Sequence, residues 1–381
     1  MGPYLLVDKS FIEALSPEEI NILDNHYTVI IAPILLKEIC ANLLKYPADE
    51  NLSRHKVSLL AKKADRFDAK TICHYGNVLI ADLLGARVKL APVIPRIGGR
   101  EIIAPNGSKG IIYEESFEDK MLRRWAGGHF EEDDFAVAKD HYDKRVYDLA
   151  GSGRAMAEMY PRNASFKSLE ELVEHIDYIF SVFPDQGQII DSFMSTANME
   201  QRDQRNVKAR WESDGCPSFH DFANYAFYCF RLGSIFWVAV TSGLIPTSKH
   251  AKAIIDYEYI YYLPFVHAFC SRDNFHRELS SYFLRSDQDF IWGDDLKADL
   301  QVILAYKNKM TDADKKLYEI HFGNYPPPLA DSITYNIWLK RMRPWTPKSG
   351  NLAIEMSEDA KKKMADEINS IIDSYKKSLS E

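Results

Sequence analysis

Apolar residues open the chain in short blocks and recur further on in helical steps. Pro3-Tyr-Leu-Leu-Val-Asp8 is too short an apolar run for a helix and is closed by an acid, so it reads as a strand buried on both faces, as in a parallel sheet. Ser16-Pro-Glu-Glu19 carries the signals that start a helix: a serine cap, a proline at the first position and a glutamate three residues beyond the cap. Tyr27-Thr-Val-Ile-Ile-Ala32 is β-branched and predicts a second strand. Pro33 then opens a helix on which Ile34, Leu35, Glu38, Ile39 and Leu43 recur at helical spacing. Strand, helix, strand, helix in succession predicts an α/β fold with a parallel sheet flanked by helices.

Beyond about residue 70 the pattern changes. Between Val88 and Ile112, isoleucines and valines punctuated by Gly98-Gly99 and Asn106-Gly107 predict a β-hairpin. A charged stretch follows from Glu131 to Arg162, with Gly151-Ser-Gly153 read as a joint. Helices are expected around Leu169–Phe183 and Gly187–Met199, in an aromatic-rich run over 218–245, and from near Ser248 to Leu263. Phe265-Val-His-Ala-Phe-Cys270 is a third strand, and Ser271-Arg-Asp-Asn274 turns into another helix. In the tail, Met364, Ile368, Ile371, Tyr375 and Leu379 stand three or four residues apart on one helical face. The domain reading is a discontinuous core of residues 1–70 and 246–300, a mostly helical insertion at 71–245 that carries the hairpin, and a helical extension at 301–381.

Composition narrows the classes. With 46% hydrophobic and 27% charged residues over 381 positions, the chain can fill a core, and disorder throughout is excluded. A net charge of −8 argues against coating nucleic acid by bulk charge and leaves only a local basic groove. Five cysteines form no CxxC pair and are odd in number, so neither a zinc knuckle nor a disulfide framework is indicated. No signal-peptide pattern opens the sequence, so reduced thiols and a cytoplasmic location are expected. Leu232–Ser248 lacks charge, but it is short and contains Gly233, Gly243 and Pro246. It is expected to be a buried helix and not a membrane span, which needs about 20 apolar residues.

Four acids take matching places. Asp8 closes strand one, Glu38 lies one turn into the helix leaving strand two, Asp256 is read near the start of the helix before strand three, and Asp273 follows strand three. Ligands of open parallel sheets gather outside the carboxyl ends of the strands. Glu38 sits among Ile34, Leu35, Ile39 and Leu43, where a structural role has little use for a carboxylate. Carboxylates gathered there raise each other's pKa unless a cation neutralises them, and magnesium or manganese suits oxygen ligands.

The opening Leu5-Leu-Val-Asp8, the Leu36-Lys-Glu38-Ile segment and the run from Asp256 to Ser271-Arg272-Asp273 together resemble the PIN-like domain nuclease family. In that family an acid begins the helix, the next strand crosses to the active edge, and a Ser/Thr-x-Asp turn delivers the last acid. The resemblance covers roughly the first 45 residues and about residues 250–300. It implies that Asp8, Glu38, Asp256 and Asp273 are catalytic, bind Mg2+ or Mn2+, and serve a metal-dependent endonuclease hydrolysing phosphodiester bonds, with RNA preferred to DNA. Ser271 would be an auxiliary polar contact. The chain departs from the family in the long stretch between Glu38 and Asp256.

His276 is a candidate substrate contact, whereas His267 is read as a core histidine. Asp287, Asp289, Asp294 and Asp295 are read as a solvated turn, with Asp294 as a fallback ligand. Arg202, Arg205, Lys208 and Arg210, followed by Trp211, are candidates for holding phosphates and stacking a base. An insertion walling the site suggests a regulated effector, a toxin or an antiviral defence component, with a regulatory protein or a second copy of the chain as partner. The competing expectation is an inactive PIN-like scaffold whose middle region binds protein.

Overall fold

Leu5, Leu6 and Val7 are wholly buried, as a strand covered on both faces requires, and they form β1 (Tyr4–Val7) at the centre of the computed structural model. The structure describes residues 2–67, 71–96, 98–103, 109–144, 166–197, 199–246 and 250–342, together with positions 362 and 366. The joint at Gly151-Ser-Gly153, the hairpin turn at Asn106-Gly107 and the tail stripe from Met364 to Leu379 lie outside the described residues.

After β1 come α1 (Lys9–Ala14), α2 (Pro17–His26), β2 (Thr28–Ile30), α3 (Pro33–Cys40), α4 (Glu50–Ala64) and α5 (Tyr75–Leu83). The hairpin pairs β3 (Arg100–Ile103) with β4 (Lys109–Ile112) and leads to α6 (Phe117–Ala126) and α7 (Glu132–Lys144). Then follow α8 (Leu169–Val182), α9 (Gln186–Thr196), α10 (Gln201–Ser213), α11 (Phe219–Phe222), α12 (Asn224–Thr241) and α13 (His250–Ile260). The chain returns to the sheet with β5 (Ala268–Ser271), α14 (Asn274–Ser281) and β6 (Asp289–Trp292). It continues through α15 (Gly293–Asn308), α16 (Asp312–Phe322) and α17 (Ile333–Arg341).

The main sheet is parallel, in the order β2-β1-β5-β6. Leu5 stands beside both Val29 and Ala268, so sequence-distant β1 and β5 are neighbours and their carboxyl ends open on one edge. The expected capping box of α2 is present: Ser16 Oγ accepts the Glu19 N–H at 3.2 Å, and Glu19 returns the bond to the Ser16 N–H at 2.7 Å.

One element goes unannounced in the sequence and two readings are corrected. α1 starts directly after Asp8, a helix too short for periodicity to announce. Asp256 stands past the middle of α13 and not near its start, so it faces the following elements from within a formed helix. The acidic stretch 287–295 is a solvated turn only at Asp287: Asp289–Trp292 is the fourth strand of the main sheet, and Asp294 and Asp295 form the first turn of α15. Acids at both ends disguise a strand whose interior is the short apolar Phe290-Ile-Trp292.

Residues 71–245 share the sheet's hydrophobic core, contributing Leu79, Trp125, Ala138, Leu172, Tyr225 and Phe236 to one continuous cluster. α6 packs on α4, α7 on α3, and α12 on both α5 and α8. α12 begins after Ala223, which offers no side-chain cap; instead the buried Asp82 of α5 accepts the Tyr225 and Ala226 N–H groups at 2.9 and 3.1 Å. Among the described residues, no helix is long and apolar enough to cross a membrane.

Candidate active site

The carboxyl edge of the sheet gathers the four acids. Asp8 is 4% exposed and caps α1: Oδ1 accepts the Phe11 N–H at 3.0 Å, while Oδ2 accepts the hydroxyls of Ser10 at 2.8 Å and Ser271 at 2.9 Å. Glu38 reaches the edge from α3 and accepts a hydrogen bond from Tyr259 on α13. Asp273 caps α14 through the Phe275 N–H at 2.8 Å and receives the Lys252 ammonium on its other oxygen. Asp256, 7% exposed on α13, has its two nearest cationic neighbours, Lys252 and His276, each 3.9 Å away.

Their acidities follow from this placement. Burial pushes the Glu38 carboxyl up, against the opposing pull of the Tyr259 hydroxyl and Lys9. Burial drives Asp256 up to about 7, with Asp273 and Glu38 adding to the rise and His276 and Lys252 working against it. Burial would raise Asp273 as well, but the Lys252 ammonium and the Phe275 N–H outweigh it and hold this carboxyl below the ordinary value.

Hydrogen bonds and neighbouring acids favour the protonated state of the buried His276. Its Nε2 lies 2.9 Å from the Asp256 carbonyl, which can only accept, so Nε2 carries a proton. Its Nδ1 lies 2.7 Å from Ser271 Oγ, which also touches Asp8 Oδ2 at 2.9 Å and accepts the Asp273 N–H at 3.0 Å. The serine has one proton, directed to Asp8 Oδ2. With the ring protonated, Nδ1 donates to Oγ, and this imidazolium form is the one the surrounding acids favour. Burial alone would lower its pKa, but Asp8, Asp256 and Asp273 together raise it. Lys252 and, in its protonated form, His276 supply two positive charges to the four acids. Ser271, expected as an auxiliary contact, is the hub through which the imidazolium orients Asp8.

The donor set suits a hard divalent cation in kind, being carboxylate and hydroxyl oxygen. In spacing it does not: among the described residues, no three histidine, cysteine or acidic side chains could hold one ion as they stand. Asp8, Glu38 and Asp273 are each taken up by protein donors, and the Lys252 ammonium occupies the position between Asp256 and Asp273 that a cation would need.

A cleft of about 710 Å³ opens over this edge, lined by Lys252, Asp256, Arg272 and Asp273, with the start of α8 (Lys167–Glu170) and Leu244–Pro246 as further walls. Asp8 and Glu38 are not among its lining residues. Sequence reasoning passed over Lys252 and Tyr259. Their signal was present: they stand four residues before and three after Asp256, on its helical face.

The remaining candidates lie elsewhere. His267 Nδ1 accepts the Tyr4 N–H at 2.8 Å and the ring stacks on Tyr4, a structural role as read, though the residue is half-buried and not in the core. Asp294 pairs with Arg272 at 2.8 Å and does not line the acid cleft. On α10, Arg202 and Arg205 are exposed and Lys208 pairs with Asp191 at 3.2 Å. Arg210 spends its guanidinium on the carbonyls of Asp82, Leu83 and Phe222, which commits it to holding α5 and α11 together. Trp211 donates to the Pro217 carbonyl and shares a separate cleft of about 360 Å³ with Lys208.

Comparison with known proteins returns no matching family model, no matching curated protein and no matching solved structure.

Proposed function

We propose that this chain is a metal-dependent endonuclease with a PIN-like catalytic core that hydrolyses phosphodiester bonds, RNA in preference to DNA. One observation carries the reading: β1, α3, α13 and the turn after β5 each deliver an acid to one sheet edge, and burial holds Glu38 and Asp256 there with raised proton affinity. Bound among Asp8, Glu38, Asp256 and Asp273, magnesium or manganese would activate water and offset charge developing on the phosphodiester. The chain's own residues do the rest. Phe11 N–H and the Ser271 hydroxyl aim Asp8, and Tyr259 aims Glu38. When protonated, as its raised pKa favours, His276 puts a positive charge beneath the acids and offsets part of their mutual repulsion without a ligand. Lys252, exposed and on a flexible stem, is the group a divalent ion displaces. The preference for RNA rests on the family resemblance. The role of regulated effector rests on α8 and residues 244–246 walling the cleft.

The second reading, an inactive scaffold that binds protein, is favoured by the Lys252–Asp273 pair and by the protein donors already on Asp8 and Glu38. Labelled single-stranded RNA and DNA incubated with the protein and Mn2+ decide between them. Glu38→Gln and Asp256→Asn should each cut at least about 100-fold more slowly with no loss of folded stability, since even groups behind metal ligands cost 10- to 100-fold. Absence of Mn2+-dependent cutting by the unaltered chain leaves the scaffold reading; cutting by both variants at its rate takes the acid edge out of the reaction.

A further inference from the structure

The β5–β6 register sets Ser271 beside Trp292, so the turn after β5 and the start of α15 run side by side at the acid edge. Gly293 makes their approach close. A Cβ at this position would fall 2.4 Å from Arg272 Cγ and 3.1 Å from Phe11 Cδ2, so the Arg272 stem lies in a slot that only glycine leaves open. At the end of that stem, Nε meets Asp294 at 2.8 Å, and the side chain is 40% exposed. Neither terminal NH2 group of Arg272 has a partner among the described residues. On α14, the Arg277 guanidinium lies 5.1 Å from the centre of the half-buried Trp292 ring and donates to Asn274 at 3.0 Å. Arg272 and Asn274 line the same cleft as Asp256 and Asp273, while Arg277, bonded to Asn274, and Trp292 stand outside its lining.

Resting on the reading of the acid edge as a cutting site, we infer that this surface is the track of a single nucleic-acid strand: Arg272 and Arg277 hold backbone phosphates, and the Arg277–Trp292 pair stacks a base. Two guanidinium groups with free donors match the bidentate geometry of phosphate oxygens. A stacked guanidinium and indole offer a base a flat π surface, whichever of the two it meets. A duplex hides its base faces within the stack, so the substrate class is the single strand. The opposing charge at Asp294 holds Arg272 in place while leaving its outer NH2 groups to a ligand.

Binding is read by fluorescence anisotropy of a labelled single-stranded RNA of about 12 nucleotides, in EDTA, across a range of salt. Arg272→Ala and Arg277→Ala should each reduce the log–log salt slope by about 0.7. Arg272→Lys should keep that slope. Trp292→Leu should weaken binding by roughly 5- to 150-fold, the loss of one stacked base, while Trp292→Phe, which keeps both packing and a ring, should stay near the unaltered affinity. A duplex of the same sequence should compete poorly. Unchanged slopes in both arginine variants, or a duplex that competes equally, would overturn the track. Since no cleavage is needed, a protein that binds this way yet does not cut in Mn2+ keeps the track and loses the nuclease. One that cuts while all the variants bind unchanged does the reverse.

Discussion

A carboxyl that ionises at about 7 in place of 3.8 works against the fold whenever it is charged. The folded value of Asp256 lies above the unfolded one, so its contribution is fully present below pH 3.8 and is lost as pH rises through about 7. Each unit is worth about 1.36 kcal/mol, which makes the full effect a few kcal/mol for this buried group. Asp256→Asn removes the ionisation. Melted in EDTA, this variant should gain on the unaltered protein at pH 8 and match it near pH 4; a difference that stays constant across pH would refute the assignment. The acids themselves were legible as residues, because Asp8 and Asp273 end strands and Glu38 interrupts an apolar helical face. What Arg210 does was not. A basic run looks the same whether its guanidinium groups meet phosphates or, as at Asp82, Leu83 and Phe222, backbone carbonyls.

Elements are joined here by side chains standing in for missing caps. Asp82 of α5 satisfies two N–H groups at the start of α12, and Arg210 covers the carbonyls at the end of α5. Asp82→Ala would leave buried donors unpaired, at about 1 to 3 kcal/mol each. Chemical denaturation should show a loss of that size, larger than for Asp82→Asn, whose side-chain oxygen can still accept; equal stability of the two variants would deny Asp82 the capping role. Local signals sufficed where an element carries its own start, as at Ser16-Pro-Glu-Glu19 and Pro33. They failed for β6, a four-residue strand flanked by acids and stabilised by pairing with β5, and for α1, a short helix capped by an acid that also serves the site.

Across the whole molecule, the acid edge holds Lys252 and the protonatable His276 where a divalent ion is proposed to bind. Metal binding must then displace Lys252 and the proton that Asp256 holds below about pH 7. Millimolar Mn2+ should raise the melting temperature more at pH 8 than at pH 6, approaching about 2.7 kcal/mol when the ion is at 100 times its Kd. Lys252→Met should enlarge the gain. A shift independent of pH and unaffected by Lys252→Met would deny the competition. The sequence by itself determined the α/β alternation, the first two strands and their helices, and the identity of the four acids, because propensity, capping and hydrophobic period act over a few neighbouring residues. Only the tertiary structure decided which partner each acid has. Tyr259 meets Glu38 and Ser271 meets Asp8 between segments that the parallel pairing of β1 with β5 brings together, and Lys252 meets Asp273 across the stretch of chain that runs from α13 through β5. No local pattern encodes that pairing, because it depends on the packing of the more than two hundred residues between them.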